Sequence, residues 1–187
     1  IPVSSYNTEK SKPIFYYCKT SGNEKLIENL NFIRTADCSF KTYCVRIENQ
    51  NHVTVRNIKI KTPDSDLYGD VAITVNNSTN TKLENINIEG TYSQLRTFGY
   101  GVFLNNVWNT QIIGMKASAQ WGVFGNNNVN CVRLKDCKIN RFDIHCYGRD
   151  VYMENCHFFD LYNQYSSVYG TVYHKNCIFD QTIPCLI

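Results

Sequence analysis

The sequence has few of the residues that mark extended or unfolded chains. Only 4 of its 187 residues are proline and 10 are glycine, while charged residues make up 19%. These values exclude a collagen-like rod, a disordered tail and a charged coiled coil, since 43% of the residues are hydrophobic and 13% are aromatic. Apolar runs such as Ile14 to Cys18 are too short for a membrane-spanning helix, which needs about twenty residues. We therefore expect one folded domain over residues 1–187.

The charge of the chain is nearly balanced and is spread along its length. Lys and Arg total 19 against 16 Asp and Glu, which gives a net charge of +3 with neutral His. Because the basic residues form no stripe, the sequence predicts no nucleic-acid partner, and the short apolar runs predict no membrane partner. The chain begins Ile1-Pro2-Val3 with neither an initiator Met nor the layout of a secretory signal, so we expect a segment of a longer protein.

The number and spacing of the nine cysteines argue against two common uses of cysteine. An odd count leaves at least one thiol outside any complete set of disulfides within the chain. The closest pairs, Cys38 with Cys44 and Cys131 with Cys137, are six residues apart. Zinc knuckles separate their paired ligands by only about two to four residues. Neither a disulfide scaffold nor a zinc site is therefore the default interpretation.

A short pattern recurs along the chain: an apolar residue, any residue, Asn or a substitute, an apolar residue, any residue, and an apolar or aromatic residue. A typical copy is Val55-Arg56-Asn57-Ile58-Lys59-Ile60. Successive anchor residues are 28, 28, 29, 22, 19 and 21 residues apart, and a repeat of this length is typical of a solenoid or an array. The seven anchors are Asn29, Asn57, Asn85, Gly114, Asp136, Asn155 and Asn176.

Apolar residues alternate on both sides of each anchor, but the phase of the alternation shifts at the anchor itself. Ile58 and Ile60, for example, alternate after Asn57. Two strands therefore meet at a corner, where Asn, Asp or Gly tolerates the left-handed backbone conformation. A further alternating strand lies upstream of each corner, as at Val45-Arg46-Ile47. Over Lys25–Ile33 a helical period also fits, so a helix is the competing interpretation there.

Three short strands per repeat, with corners between them, describe one turn, or rung, of a parallel β-helix. Over roughly residues 14 to 180 the pattern resembles the pectate-lyase-like right-handed parallel β-helix superfamily. The resemblance implies an all-β fold, a right-handed solenoid of about seven rungs stacked about 4.8 Å apart. It does not imply one activity, because lyases, hydrolases, epimerases, phage tailspikes and adhesins share this architecture.

In such a coil three cysteines fall at one inward position. Cys137, Cys156 and Cys177 follow three successive corners, where earlier rungs have apolar residues such as Ile58 and Ile86. We therefore expect a buried column of reduced thiols, with a metal or redox role as the alternative. Reduced thiols indicate synthesis in a reducing compartment, which suits a phage structural component better than an exported enzyme.

The stretch from Arg141 to Cys146 has the strongest candidates for chemistry. If Cys146 and the other apolar residues of this stretch point inward, Arg141, Asp143 and His145 share the outer face, spaced about 6.6 Å apart. In the resembled superfamily this face commonly lines the glycan groove. We therefore predict a catalytic triplet in which Arg141 holds a carboxylate or phosphate while Asp143 and His145 exchange protons. The alternative is a solvated polar face.

Aromatic residues lie near this triplet in the expected register. Carrying the repeat back along the chain places Trp121 in the column of Asp143 and Phe103 in the column of His145. Flat aromatic faces suit sugar rings, and the alternative is an aromatic ladder packed under a loop or against a neighbouring subunit. The candidate substrate-binding residues are Trp121, Phe103, Tyr100 and Tyr147.

The run Thr62–Asp70 resembles part of the polygalacturonase motif that ends in Asn-Thr-Asp-Gly, but only one Gly and one Asp remain, in swapped order. The other motifs of that family are absent, which argues against pectin hydrolysis by its mechanism. Asp64, Asp66 and Asp70 are candidate Ca²⁺ ligands, with a solvated acidic loop as the alternative. Asp70 is three rungs from Asp143, about 14 Å away, whereas the carboxyl groups of an inverting hydrolase are about 6.5 to 9.5 Å apart.

Together these expectations predict a β-helix that binds carbohydrate. The favoured interpretation is a phage tailspike or appendage, assembled in the host cytoplasm and carried on the virion tail, that binds and in the enzymatic case depolymerises a host-surface polysaccharide. The alternatives are a secreted bacterial polysaccharide lyase or glycoside hydrolase, and a non-enzymatic structural or adhesive β-helix. No cofactor other than Ca²⁺ is expected. Residues 183–187 offer no polar cap, so we expect a homotrimer or a continuation of the chain.

Overall fold

Parallel strands account for the regular secondary structure of the described residues. The computed structural model describes residues 23–33, 43–62, 71–90, 100–117, 122–159, 164–165, 168–180 and 185–186, and it has no helix within them. The expected all-β class is confirmed. The strands are β1 (Lys25–Ile33), β2 (Val45–Glu48), β3 (Asn51–Thr62), β4 (Val71–Gly90), β5 (Tyr100–Ile113), β6 (Lys116–Ala117), β7 (Gly122–Lys135), β8 (Lys138–Ile139), β9 (Phe142–Glu154), β10 (His157–Phe158), β11 (Gln164–Tyr165), β12 (Val168–Lys175), β13 (Ile178–Phe179) and β14 (Cys185–Leu186).

These strands join into one curled sheet in which every described pairing is parallel. Each long strand pairs with the stretch one repeat further along the chain, so the order is β1, β3, β4, β5, β7, β9 and β12. Lys25–Ile33 is the first of these strands, and the competing helix interpretation is wrong. One row of paired residues runs through Lys25, Val53, Thr81, Thr110, Val132, Val151 and Val172.

The predicted corners are confirmed at all seven anchors. Each anchor has a backbone φ between 51° and 65°, the left-handed region that most side chains avoid. Asn57 Nδ2 donates a hydrogen bond of 3.0 Å to Asn29 Oδ1, and Asn85 Nδ2 donates one of 3.2 Å to Asn57 Oδ1. At Gly114 a Cβ atom would lie 2.8 Å from Asn85 Oδ1, so glycine suits both the space and the φ of +65°.

Two further columns of positive-φ residues escaped the sequence analysis. Except at Asn49, which lies between β2 and β3, these residues occur where a strand continues through the bend, and they form the further corners between the three strands of each repeat. The available signal was the recurrence of Asn three residues apart, as in Asn77 and Asn80 or Asn106 and Asn109. The first column is Asn49, Asn77, Asn106, Asn128 and Tyr147, and the second is His52, Asn80, Asn109, Cys131, Asp150 and Gly170.

The core consists of inward-facing side chains stacked from strand to strand. The predicted thiol column is present: Cys137 and Cys156 are 2% and 1% exposed, Cys177 is half-buried, and all three are free thiols. A hydrogen bond with Cys137, together with burial, raises the pKa of Cys156, which keeps this sulfur a neutral thiol. A second core column contains Val55, Leu83, Ile112, Leu134 and Met153.

Candidate functional site

The register around Asp143 differs from the predicted one. Gly125 pairs with Asp143, and Phe103 pairs with Gly125, so Phe103 lies in the column of Asp143 and not in that of His145. The prediction that Trp121 occupies the column of Asp143 is wrong, because the chain advances by only 18 residues from Gly125 to Asp143. Trp121 itself lies outside the described residues.

His145 is an inserted residue in its strand. Asn126 pairs with Ile144 and Asn127 pairs with Cys146, so no residue of β7 stands opposite His145. Such a β-bulge re-aims a side chain and alters the alternation of the residues that follow. Cys146 is accordingly exposed, and the prediction that it points inward is wrong.

Arg141 and Asp143 are buried, which corrects the prediction that they share an exposed outer face with His145. Their relative exposures are 5% and 0%, and the neighbouring Phe142 and Ile144 are fully buried as predicted. The strand is therefore covered on both faces from Arg141 to Ile144, and of the predicted triplet only His145, whose side chain is 37% exposed, reaches solvent.

The buried pair forms a close ionic contact. Arg141 Nε lies 2.6 Å from Asp143 Oδ2, and the backbone carbonyl of Asp143 accepts a hydrogen bond of 2.6 Å from Asn126 Nδ2. The backbone N–H of Arg141 donates to Asn140 Oδ1 at 2.8 Å. These contacts hold the charged groups in place, but they also leave Arg141 engaged, so it is not an open receptor for a substrate carboxylate.

His145 and Tyr100 form the exposed part of this cluster. Tyr100 Oη lies 3.3 Å from His145 Nε2, and the rings meet edge to face with centroids 5.8 Å apart. Burial and the nearby Arg141 lower the pKa of His145, while burial and the charge of Asp143 raise the pKa of Tyr100. Both groups are therefore neutral near pH 7 and hydrogen-bonded, in a direction set by the imidazole tautomer. His145 Nε2 is also 3.9 Å from Asp143 Oδ2.

The other two described aromatic candidates, Phe103 and Tyr147, lie in different places. Phe103 packs against Tyr100 at a centroid distance of 6.4 Å and so belongs to the His145 cluster. Tyr147 sits at a corner with a φ of 46° and packs instead against Tyr169, at 5.2 Å. The sequence analysis did not single out Tyr169. Carrying the repeat forward from Arg149, with which Tyr169 pairs in register, would have pointed to it.

The predicted calcium ligands Asp64, Asp66 and Asp70 lie outside the described residues. Within the part of the chain that the structure describes, no three His, Cys, Asp or Glu side chains are grouped to hold a metal ion. An open depression of about 270 Å³ lies elsewhere, and its lining residues are Glu24, His52, Thr54 and Asn80.

The chemistry available at the cluster is proton transfer by a neutral imidazole and a phenol. Asp143, whose Oδ2 lies 3.9 Å from His145 Nε2, is fully buried and bound to Arg141. Comparison with known proteins adds no name to this site, since no protein-family model, curated protein or solved structure matches the chain. The described residues also contain no helix of the length and apolarity required to cross a membrane.

Proposed function

We propose that this chain is a right-handed parallel β-helix of about seven rungs that binds a polysaccharide at the Tyr100–His145 pair. Support for the coil comes from three columns of left-handed corners and from parallel pairing that always advances by one repeat. Successive rungs then bring residues distant in sequence, such as Tyr100 and His145, to one place on the surface.

The observation that carries the proposal is the placement of His145. An extra residue in a regular strand is commonly found beside active sites, where it aims a side chain out of the regular pattern. The side chain so aimed contacts Tyr100, and its Nε2 lies 3.9 Å from Oδ2 of Asp143 in the buried Arg141–Asp143 pair. A buried ion pair is a weak source of stability compared with packed apolar residues, so its presence here favours a role in fixing His145 and Tyr100.

The same cluster favours one type of turnover over another. Hydrolysis by paired carboxylates needs two carboxyl groups beside the glycosidic bond, and Asp143 is too buried to reach one. A neutral imidazole beside a phenol suits proton abstraction and return, as in an elimination reaction on a uronate-containing glycan. Our proposal for the enzymatic case is therefore a lyase, and the non-enzymatic case is a receptor-binding domain with the same contact site.

We also propose where the protein is assembled and where it acts. A core of reduced thiols fits assembly in a reducing host cytoplasm. This supports a phage tailspike or appendage that acts on a host-surface polysaccharide from the virion, with homotrimer formation covering the ends of the coil. A secreted bacterial polysaccharide lyase remains the second origin for the same site.

A glycan panel tests the site directly. Neutral and anionic polysaccharides are incubated with the protein while binding and new chain ends are measured for wild type, His145→Gln and Tyr100→Phe. His157→Gln is the matched control, because His157 is a partly exposed histidine that pairs with Asp180 at 2.9 Å, away from the bulge. We expect binding to at least one glycan, with any turnover lost in the first two variants and kept in the control. Turnover that survives in both site variants, or no glycan binding at all, contradicts the proposal.

A further inference from the structure

A second aromatic surface lies outside the Tyr100–His145 site. Arg133 pairs in register with Tyr152, and Tyr152 pairs with Tyr173, so these three outward side chains follow one another across β7, β9 and β12. The Arg133 guanidinium lies 5.6 Å from the ring centroid of Tyr152, and the two tyrosine rings are 6.3 Å apart. Tyr152 and Tyr173 are 37% and 48% exposed, so a ligand can reach both residues from solvent.

The neighbouring outward column gives this surface a positive charge. Lys135 pairs in register with Glu154 and Glu154 with Lys175, whose Nζ lies 3.0 Å from Glu154 Oε1. Over β7, β9 and β12 the two columns hold three cations, Arg133, Lys135 and Lys175, and one carboxylate, Glu154. In the described part of the chain no carboxylate forms an ion pair with Arg133 or Lys135, so both charges are open to a ligand.

We propose that Arg133, Lys135, Tyr152 and Tyr173, here called the Tyr152 surface, form a separate binding site for an anionic polysaccharide. Tyrosine presents an apolar ring and a hydroxyl to a sugar, and the two cations match carboxylate, sulfate or phosphate groups on the chain. The choice of a glycan as ligand rests on the proposed function, whereas the charge and exposure of the surface do not.

A polysaccharide fits the Tyr152 surface better than a nucleic acid does. A nucleic acid carries a phosphate at every nucleotide and is usually met by a long basic stripe. Here only two cations are open, Lys175 is paired with Glu154, and Arg133 already covers one face of Tyr152, so the surface has no long basic stripe. A chain with intermittent charge and many hydroxyls matches this arrangement.

Titration calorimetry of the whole chain with dextran sulfate of low sulfate content, whose charges are intermittent, and with uncharged dextran of equal length, tests the site. We expect salt-sensitive binding of dextran sulfate that weakens at least about tenfold in Arg133→Gln, weakens in Tyr152→Ala and Tyr173→Ala, and is absent with uncharged dextran. Arg46→Gln is the matched control, since Arg46 lies 5.9 Å from the ring of Tyr43 but is paired with Glu48. Circular dichroism identifies any variant that fails to fold, and Tyr152→Phe, which keeps the ring, then replaces Tyr152→Ala.

Three outcomes overturn the inference: no binding of dextran sulfate, equal weakening by Arg46→Gln, or tighter binding of single-stranded DNA than of dextran sulfate. The two proposals fail separately. Dextran sulfate binding that depends on Arg133 but not on His145 supports the Tyr152 surface even if the Tyr100–His145 site binds no glycan.

Discussion

Two halves of the molecule use the same corners but differ in regularity. In residues 43–113, the regular half, side chains at equivalent corners are 28 or 29 residues apart, and the pairings of β2 to β5 run without a shift of register. In residues 114–180, the short-step half, the spacing falls to between 19 and 22 residues, and the register shifts twice, at His145 and near Gly170.

The short-step half contains residues that the fold alone does not require. The regular half fills its corners mostly with Asn, and its core columns with Val, Ile and Leu. The short-step half brings Tyr147, Cys131 and Asp150 to the same corners, buries Arg141 and Asp143, and places its bulge at His145. Departures from local consistency are expected at functional sites, and both proposed sites lie wholly or partly in this half.

The largest effect is expected from breaking the buried ion pair. Asp143→Ala leaves Arg141 without the carboxylate 2.6 Å away, so we expect a loss of about 3 to 5 kcal/mol in the free energy of unfolding. The matched change is Thr74→Ala, because Thr74 lies in the same column in the regular half and is equally buried. That variant should lose only about 1 kcal/mol.

Chemical denaturation measures both losses. Replacing both partners with apolar residues, as in Arg141→Met/Asp143→Leu, should recover much of the stability lost in Asp143→Ala. Equal losses for Asp143→Ala and Thr74→Ala would remove the distinction between the two halves at this column.

A smaller effect is expected at the Asn corners of the regular half. Asn57 has a φ of 54° and joins the ladder between Asn29 and Asn85. Asn57→Ala should cost about 1 to 2 kcal/mol, because alanine is disfavoured in the left-handed region, whereas Asn57→Gly should cost less because glycine tolerates that φ. Thermal unfolding of the two variants separates the contribution of φ from that of the ladder, and a Gly variant as unstable as the Ala variant would assign the whole effect to the ladder.

The smallest effect is a pH dependence confined to the short-step half. Burial and Arg141 lower the pKa of His145, and burial lowers that of His174. The unfolded chain therefore binds more protons than the folded chain once the pH falls below the ordinary histidine value of about 6.5. Stability should decrease as the pH falls through that window, and level off once both folded groups are protonated.

Urea midpoints measured between about pH 5 and about pH 8 test this dependence. His145→Gln should remove part of the slope, while His174 retains the remainder. A slope unchanged by His145→Gln would show that the imidazole is not held in its neutral form by the cluster.

The sequence predicted the fold correctly at positions whose conformation or burial restricts the residue type. Anchors such as Asn57, and thiols such as Cys156, follow directly from the repeat because a left-handed corner and an inward position each restrict the residue type. The residues at the other corners, such as Asn77 and Asn80, were not identified because the inward side chains beside them, Ser78 and Thr81, are polar, so no shift in an apolar pattern marks these bends.

The candidate site could be predicted only in part. Tyr100 was placed correctly near His145 and Phe103, but Phe103 was assigned to the wrong column and the burial of Arg141 and Asp143 was not foreseen. Polar residues that alternate with apolar ones ordinarily face solvent, and alternation carries no information about what covers the second face of a strand. A one-residue bulge likewise leaves no trace in a repeat read at intervals of about 20 residues, because neighbouring repeats already differ in length.

The most direct test of the central claim is an NMR titration of the imidazole resonances with a glycan that binds in the panel. The chain has four histidines, His52, His145, His157 and His174, so three of them serve as internal controls at other places in the sheet. The account predicts that the His145 signals shift on binding, that Tyr100→Phe reduces the shift, and that the other three stay nearly unchanged. A bound glycan that leaves His145 unchanged and shifts another histidine would contradict it.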